Sequence, residues 1–389
     1  MPAAGTGYRM IYIASKPIVV VGGGLSGLVA AYRLHQAGLP VRLIEARNRL
    51  GGRILSLGED GQPSDDGLDL GPSWFWPDMT PEILPLVHEL GLSFFPQYSD
   101  GMMLFQRSRG KMSERYTTFR QEPASMRLAG GTGALISALA NRLPQDCVYP
   151  GTRATSIDRS PTGVTITLAT DAGAVETADA SHVIFALPPR LLERTVDFVP
   201  PPPQSIREMW RATPTWMAPH AKFFALYERP FWRDAGLSGA AQSMVGPLVE
   251  IHDATTASGK AALFGFVGVA AQNRMQMGQD AIIAASLNQL GEIFGLQALN
   301  PIATLYKDWA ADKLTATPLD LASPGHPAGS DRDWIDADWS RWVTLAGSET
   351  SPAFPGYLAG AIEAGEKVAA KLVERFSAAT LADTKGYRP

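Results

Sequence analysis

An α/β fold built on a βαβ core, with enough further chain for at least one more domain, is what this sequence predicts. Three observations carry it. A β-branched run, Ile18 to Val21, meets the glycine cluster G-G-G-L-S-G of 22–27. A helix-compatible stretch with Leu28, Ala31 and Leu34 on one stripe ends at Gly38, and a second apolar run ends at Glu45. The chain has 389 residues, which at about 150 residues per domain leaves length for two or three domains.

Strand, glycine turn, helix and strand make a βαβ unit. Gly22, Gly24 and Gly27 stand at G-x-G-x-x-G spacing. The first permits the tight turn, the second lets backbone approach a pyrophosphate, and the third lets helix and strand pack closely. Leu25 and Ser26 open the helix, where unpaired N–H groups and a partial positive charge suit phosphate. Ser26 reads as a phosphate contact or a turn residue. Glu45 ends the next strand, where a carboxylate accepts from ribose hydroxyls. A glycine triplet alone also describes an ordinary strand-to-helix turn. The strand, helix and acidic residue in register select dinucleotide binding. In the following E-A-R-N-R-L-G-G-R, an arginine after a glycine pair (Gly51, Gly52, Arg53) is suited to reach a pyrophosphate bidentately.

Composition excludes several classes. Apolar residues at 45% and charged residues at 19% describe a folded protein. With 34 basic against 38 acidic side chains, net −4, there is no footprint for a nucleic-acid partner. A single cysteine, Cys147, and six scattered histidines predict neither a disulfide nor a metal site. Apolar stretches fall short of a membrane span, and residues 1–16 lack a secretory signal pattern, so a cytoplasmic location without membrane partners is expected.

Residues 18–53, ending in that Gly-Gly-Arg, resemble the FAD-binding N-terminus of the flavin-containing amine oxidase superfamily, which includes monoamine and polyamine oxidases. Further segments carry the resemblance. L-D-L-G-P-S-W at 68–74 is similar to the family's Asp-x-Gly-x-x-Trp/Tyr segment, with Pro72 where a small residue is more usual. A-G-G-T-G-A at 129–134 and the strand with its Pro-Pro turn at 178–189 resemble the second FAD-binding segment. K-F-F-A-L-Y-E-R-P-F-W at 222–232 resembles a substrate-domain strand headed by lysine, and 346–365 the C-terminal flavin signature.

The resemblance implies an α/β plus α+β fold: a Rossmann-like FAD-binding domain with an inserted sheet-and-helix substrate domain. The FAD domain would comprise 17–75, 128–203 and 330–377. The substrate domain would comprise 76–127 and 204–329, with tails at 1–16 and 378–389. The four prolines of 200–203 read as one crossing and the Pro/Gly-rich 323–330 as the return. Ile282, Ile283, Leu287, Leu290, Ile293 and Phe294 predict a core-facing amphipathic helix.

Cofactor contact is implied at Gly22, Gly24, Leu25, Ser26, Gly27, Glu45, Ala46, Arg47, Gly51, Gly52 and Arg53. It is implied again at Gly71, Pro72, Ser73, Trp74 and Ala154, and in the C-terminal signature at Gly347, Ser348, Glu349, Gly356, Tyr357 and Leu358. In the family the final helix starts under the flavin, where its dipole stabilises negative charge. Its small residues Gly360, Ala361, Ala364 and Gly365 also suit plain close packing on the sheet.

Four residues are candidates for the chemistry: Lys222, Tyr357, Trp309 and Trp74. Lys222 shares a strand face with Phe224 and Leu226, so burial would lower its pKa. The family's lysine there holds a water near flavin N5, whereas a lysine at a sheet edge would simply snorkel. Tyr357 resembles one wall of an aromatic cage. The other wall is missing from T-A-T-P-L-D at 315–320, so Trp74, Phe75, Trp76 or Trp309 would supply it; each also suits core packing. That stretch has no cysteine for a flavin link, which implies noncovalent FAD. The histidines, His35, His88, His182, His220, His252 and His326, read as structural or solvent-facing.

The resulting expectation is an FAD-dependent oxidase. Hydride would leave the carbon next to an amine nitrogen, the imine would be hydrolysed, and dioxygen would be reduced to hydrogen peroxide. Two other readings stay open: a desaturase or dehydrogenase of an apolar or ring substrate, and a catalytically silent flavoprotein partner.

Overall fold

The computed structural model describes residues 16–117, 122–161, 163–322 and 325–385. Of the expected tails, 1–15 and 386–389 lie outside the described residues, as do 323 and 324 of the expected return crossing.

The core is a five-stranded, wholly parallel sheet. Strand β1 (Ile18–Val21) lies at its centre, between β2 (Val41–Ile44) and His182–Phe185, with Val148–Tyr149 and Val343–Leu345 outermost. Both faces are covered, so β1 reads as four consecutive buried aliphatics, the pattern of an interior parallel strand. Helix α1 (Leu25–Gln36) follows β1 directly and buries Leu28, Ala31 and Leu34, the stripe read from the sequence. The helix Leu358–Lys385 packs on α1 and runs past residue 377, where a tail was expected. Its small face has a packing reason: a Cβ on Gly365 would sit 2.6 Å from the Ser26 carbonyl oxygen and 3.0 Å from Val29 Cβ.

A second, seven-stranded sheet has the order Ala303–Asp308, Ala221–Tyr227, Ala261–Val267, Leu248–Asp253, Leu237–Ser243, Met102–Gln106, Glu114–Thr117. It therefore draws strands from both 102–117 and 221–308. Ala221–Tyr227 lies between two partners and is buried throughout, so Lys222 is not at a sheet edge. The helix Gln279–Phe294 covers this sheet with Ile282, Leu290 and Ile293, as the spacing predicts.

A third sheet of four strands joins the parallel core through Ile157, Ile166 and Phe198. The helix Gln204–Ala212, assigned from sequence to the inserted domain, buries Trp210 among Phe185, Phe198 and Trp339 on the parallel-sheet side. The proline run leads straight into that helix, with Pro203 as its N-cap, because a fixed φ is preorganised for a helix start. Among the described residues no helix is long and apolar enough to cross a membrane, and no cluster could hold a metal ion.

Candidate active site

A cavity of about 1630 Å³, counted to its open mouth, lies where the carboxyl ends of the parallel strands meet the second sheet. That is where open parallel sheets bind ligands. Three groups of residues build it.

The first is the glycine turn, whose members are small for different reasons. Gly22 has φ +109°, and a Cβ there would lie 2.6 Å from the Ala186 carbonyl oxygen. A Cβ on Gly27 would lie 1.9 Å from the Gly22 oxygen, so helix and strand could not close. Gly24 has ordinary backbone angles, and the nearest atom to its Cβ position is 4.0 Å away. Nothing inside the chain requires a glycine there, whereas a ligand lying against the backbone would. No side chain caps α1, which leaves its first N–H groups for an anion. Both observations fit a pyrophosphate.

Gly51 (φ +104°) and Gly52 (φ +58°) form the facing turn, with the Gly51 amide 2.8 Å from the Gly23 oxygen. Arg49 holds it, donating to the carbonyls of Leu50 (3.1 Å), Gly52 (2.9 Å) and Ile54 (3.2 Å). Sequence reasoning missed Arg49; its position two residues before the glycine pair was the available signal.

The second group is charged. Glu45, 4% exposed, accepts from the Gly23 amide at Oε2 and the Arg47 amide at Oε1, both at 2.8 Å. It still lines the cavity, so its remaining lone pairs are available to a ligand hydroxyl. Arg47 bonds Asp312 (2.8 Å) and Thr315 (2.9 Å), pinning the 312–315 loop to the nucleotide side. Arg53 spends its two terminal nitrogens on protein: Glu349 (2.6 and 3.0 Å), Ser348 Oγ (2.9 Å) and the Trp216 carbonyl (3.1 Å).

Several expected contacts act at one remove. Glu349 is fully buried and outside the cavity lining; it orients Arg53. Ser26 lines the cavity but its hydroxyl donates to the Ala346 carbonyl, so only its amide is open to an anion. Ala46 and Ala154 do not line the cavity, and Ala154 is packed in the core with Ile44 and Ile157. Gly71, Pro72, Ser73, Gly347, Ser348, Gly356 and Leu358 do line it.

The third group carries the polar and aromatic chemistry. Lys222 Nζ donates to the carbonyls of Asp69 (3.1 Å) and Gly71 (2.6 Å) and to Ser73 Oγ (2.8 Å). Trp309 Nε1 donates to the carbonyl between them, Leu70, at 2.9 Å. One side chain from the second sheet and one from the turn that follows its strand Ala303–Asp308 thus capture three successive carbonyls of the cavity wall. The rings of Phe264 and Phe266 lie 4.6 and 5.1 Å from Nζ. Burial lowers the Lys222 pKa to about 7, partly opposed by Asp69, whose own carboxyl is pushed up by complete burial.

Around Tyr357 stand Trp76 (centroids 6.4 Å apart, 85° between planes), Trp216 (6.3 Å, 47°) and His326 (5.2 Å, 46°). Of the residues considered for the second wall, Trp76 is the one that meets Tyr357, edge to face. Phe75 is 2% exposed in the core around α1, which removes it. Trp74 lines the cavity but packs on His252 and Phe264, and Trp309 is tied to Leu70 under the Lys307 ammonium. Trp216 was missed altogether. A Cβ on Gly356 would sit 2.6 Å from Trp216 Cβ, so the glycine before Tyr357 exists to admit it. Among the described residues Met217, next to Trp216, has the only positive φ outside glycine, 62°. His220 also lines the cavity; burial, then Arg274, lowers its pKa, which leaves a neutral imidazole.

The profile of the family described as "Flavin containing amine oxidoreductase" matches residues 25–116 and 106–373. An L-amino acid dehydrogenase from Synechocystis is 24% identical over 92% of this chain and 95% of its own. A putrescine oxidase from Kocuria rosea is 25% identical over 77% and 83%. Among solved structures, cyclohexylamine oxidase from Brevibacterium oxydans shares the fold with TM-score 0.75 at 19% identity, covering 93% of this chain and 100% of that one. The glycine cradle, the uncapped helix and the match over nearly the whole length agree: the chain belongs to the flavin containing amine oxidoreductase family, and its cofactor is FAD.

Proposed function

We propose that the protein is an FAD-dependent amine oxidase that passes its electrons to dioxygen and releases hydrogen peroxide. The observation that carries this reading is the aromatic group of Tyr357, Trp76 and Trp216 opening onto the same cavity as the glycine cradle. FAD, held noncovalently, supplies the two-electron acceptor for the hydride leaving the carbon next to nitrogen.

The chain's own residues orient, desolvate and manage the proton. Aromatic faces attract the substituents and any residual cation of a bound amine, worth about 0.5–2 kcal/mol. Gly24 and the first amides of α1 would hold the pyrophosphate, and Glu45 the ribose hydroxyls. Arg53, kept in place by Glu349, presents guanidinium N–H groups at that wall while its charge is matched by the carboxylate. Lys222 fixes the 69–73 wall as an ammonium donor. Near neutral pH it can give up a proton, since Ser73 Oγ can reverse and donate to the neutral amine. It is the group here best placed to exchange the proton released when a protonated amine becomes reactive.

A dehydrogenase using another electron acceptor is the second reading, favoured by the Synechocystis relative's name. The experiment is anaerobic addition of an amine panel to the purified protein while following the oxidised flavin band, then admission of air. Bleaching by one amine class followed by peroxide supports the oxidase. Bleaching that air does not reverse moves the reading to a dehydrogenase. No bleaching by any amine leaves a flavoprotein of other function.

A further inference from the structure

Met217 lines the flavin cavity between two other lining residues of its segment, Trp216 and His220. Its φ of 62° is left-handed, a conformation found among the described residues otherwise only at glycine. The Ala218 amide donates to the Thr215 carbonyl at 3.2 Å, which makes 215–218 a turn with Met217 in third place. That is the place where a positive φ selects glycine. Any other residue there is opposed by its own backbone, because the Cβ crowds the following carbonyl oxygen.

The conformation is imposed from both sides. Upstream, Asp320 Oδ1 accepts from the Thr215 amide at 3.0 Å and Arg53 Nη1 donates to the Trp216 carbonyl at 3.1 Å. Downstream, the His220 amide donates to the Met217 carbonyl at 3.1 Å and Arg274 Nη2 to the Pro219 carbonyl at 2.7 Å. All four bonds use main-chain atoms of the segment, so a glycine at 217 would satisfy them equally. Core packing does not ask for the side chain either. Met217 belongs to none of the apolar clusters of the described residues. What is left for it to touch is the content of the cavity. An unbranched, uncharged thioether adapts its shape to aliphatic and aromatic groups alike, which suits the apolar part of an amine and not its nitrogen.

We propose that Met217 is a specificity-determining residue: its side chain bounds the space open to the apolar substituent of the amine, and the left-handed backbone is retained because it aims the side chain there. Strain held at a site by anchors on both sides is the form in which such a demand persists. The proposal rests on the reading of this cavity as an amine site.

The test uses the FAD-loaded protein and two amines with no hydrogen on the carbon next to nitrogen, cumylamine and its 1-naphthyl analogue. Neither can give up hydride, so titration calorimetry with the flavin spectrum recorded alongside reads binding without turnover. Failure of oxidisable amines to bleach the flavin would remove the oxidase reading and leave these titrations standing. M217G should raise the ratio of naphthyl to phenyl affinity about tenfold, within what a few carbon-sized groups confer on a pocket. M217L, which keeps the bulk, should hold the wild-type ratio. Because glycine relaxes the turn, M217G should melt no lower than wild type, and above M217A, which keeps the strain without the side chain. An unchanged ratio in M217G overturns the proposal, as does the absence of saturable binding to the wild type. A lower melting point for M217G than for wild type assigns the side chain to packing, and loss of flavin with an unchanged ratio assigns it to the cofactor; either result overturns the proposal.

Discussion

Arg53 and Glu349, 296 positions apart in the chain, meet as a two-bonded pair, Nη1 to Oε1 at 2.6 Å and Nη2 to Oε2 at 3.0 Å. The carboxylate is fully buried while the guanidinium keeps 24% of its side-chain surface. Loss of the arginine therefore strands a buried charge, whereas loss of the carboxylate's charge strands a partly solvated one.

Arg53→Met should accordingly destabilise by about 3 kcal/mol, a value typical of breaking a buried pair from one side, and Glu349→Gln by less. Both variants should retain less flavin. Thermal melts with flavin-to-protein absorbance ratios test this, and equal melting points for the two variants would contradict the burial argument.

Glu45→Ala should weaken FAD retention about tenfold. The variant leaves the Gly23 amide without its buried acceptor, an effect of about 1–3 kcal/mol, and removes the hydroxyl acceptor from the cavity. Flavin occupancy after dialysis is the measurement; wild-type occupancy would take Glu45 out of the site.

Lys222 makes stability depend on pH in a defined direction. Its pKa falls from 10.5 in the unfolded chain to about 7 in the folded one. Between those values the unfolded chain holds a proton that the native state lacks, so native stability rises with pH. The slope is at most about 1.4 kcal/mol per pH unit. Below about pH 7 the full cost of the buried ammonium is borne. Lys222→Met should lose that slope in urea unfolding at pH 7, 8 and 9, keep FAD, and slow flavin reduction or reoxidation in stopped flow. Unchanged rates in both half-reactions would confine Lys222 to holding the wall.

Trp216→Ala should raise KM for the amine about tenfold, the upper part of what an aromatic face offers a cation. Flavin content should persist, because Arg53 bonds the main-chain carbonyl of Trp216 and not its ring. Steady-state kinetics with a flavin spectrum decide it, and an unchanged KM would assign the cage to Trp76 and Tyr357 alone.

The nucleotide side was legible in the sequence because it is local. Gly22, Gly24, Gly27 and Glu45 lie within one βαβ unit, where strand, turn and helix geometry fix their neighbours. Lys222 was legible too, since alternation along one strand put it with Phe224 and Leu226 on a buried face. The role of Arg53 was only half legible: a guanidinium goes to whichever anion is nearest, and Glu349 arrives from the other end of the chain.

What the sequence by itself determined is the dinucleotide cradle, the buried lysine and the order of the segments, all consequences of short-range geometry. The tertiary structure alone decided that Trp216 and Trp76 meet Tyr357, that the carbonyls of 69–71 are captured by Lys222 and Trp309, and that Gln204–Ala212 packs on the parallel-sheet side. Those contacts join residues from separate sheets and distant segments. No periodicity encodes them; they form only when the separate segments are folded and packed together.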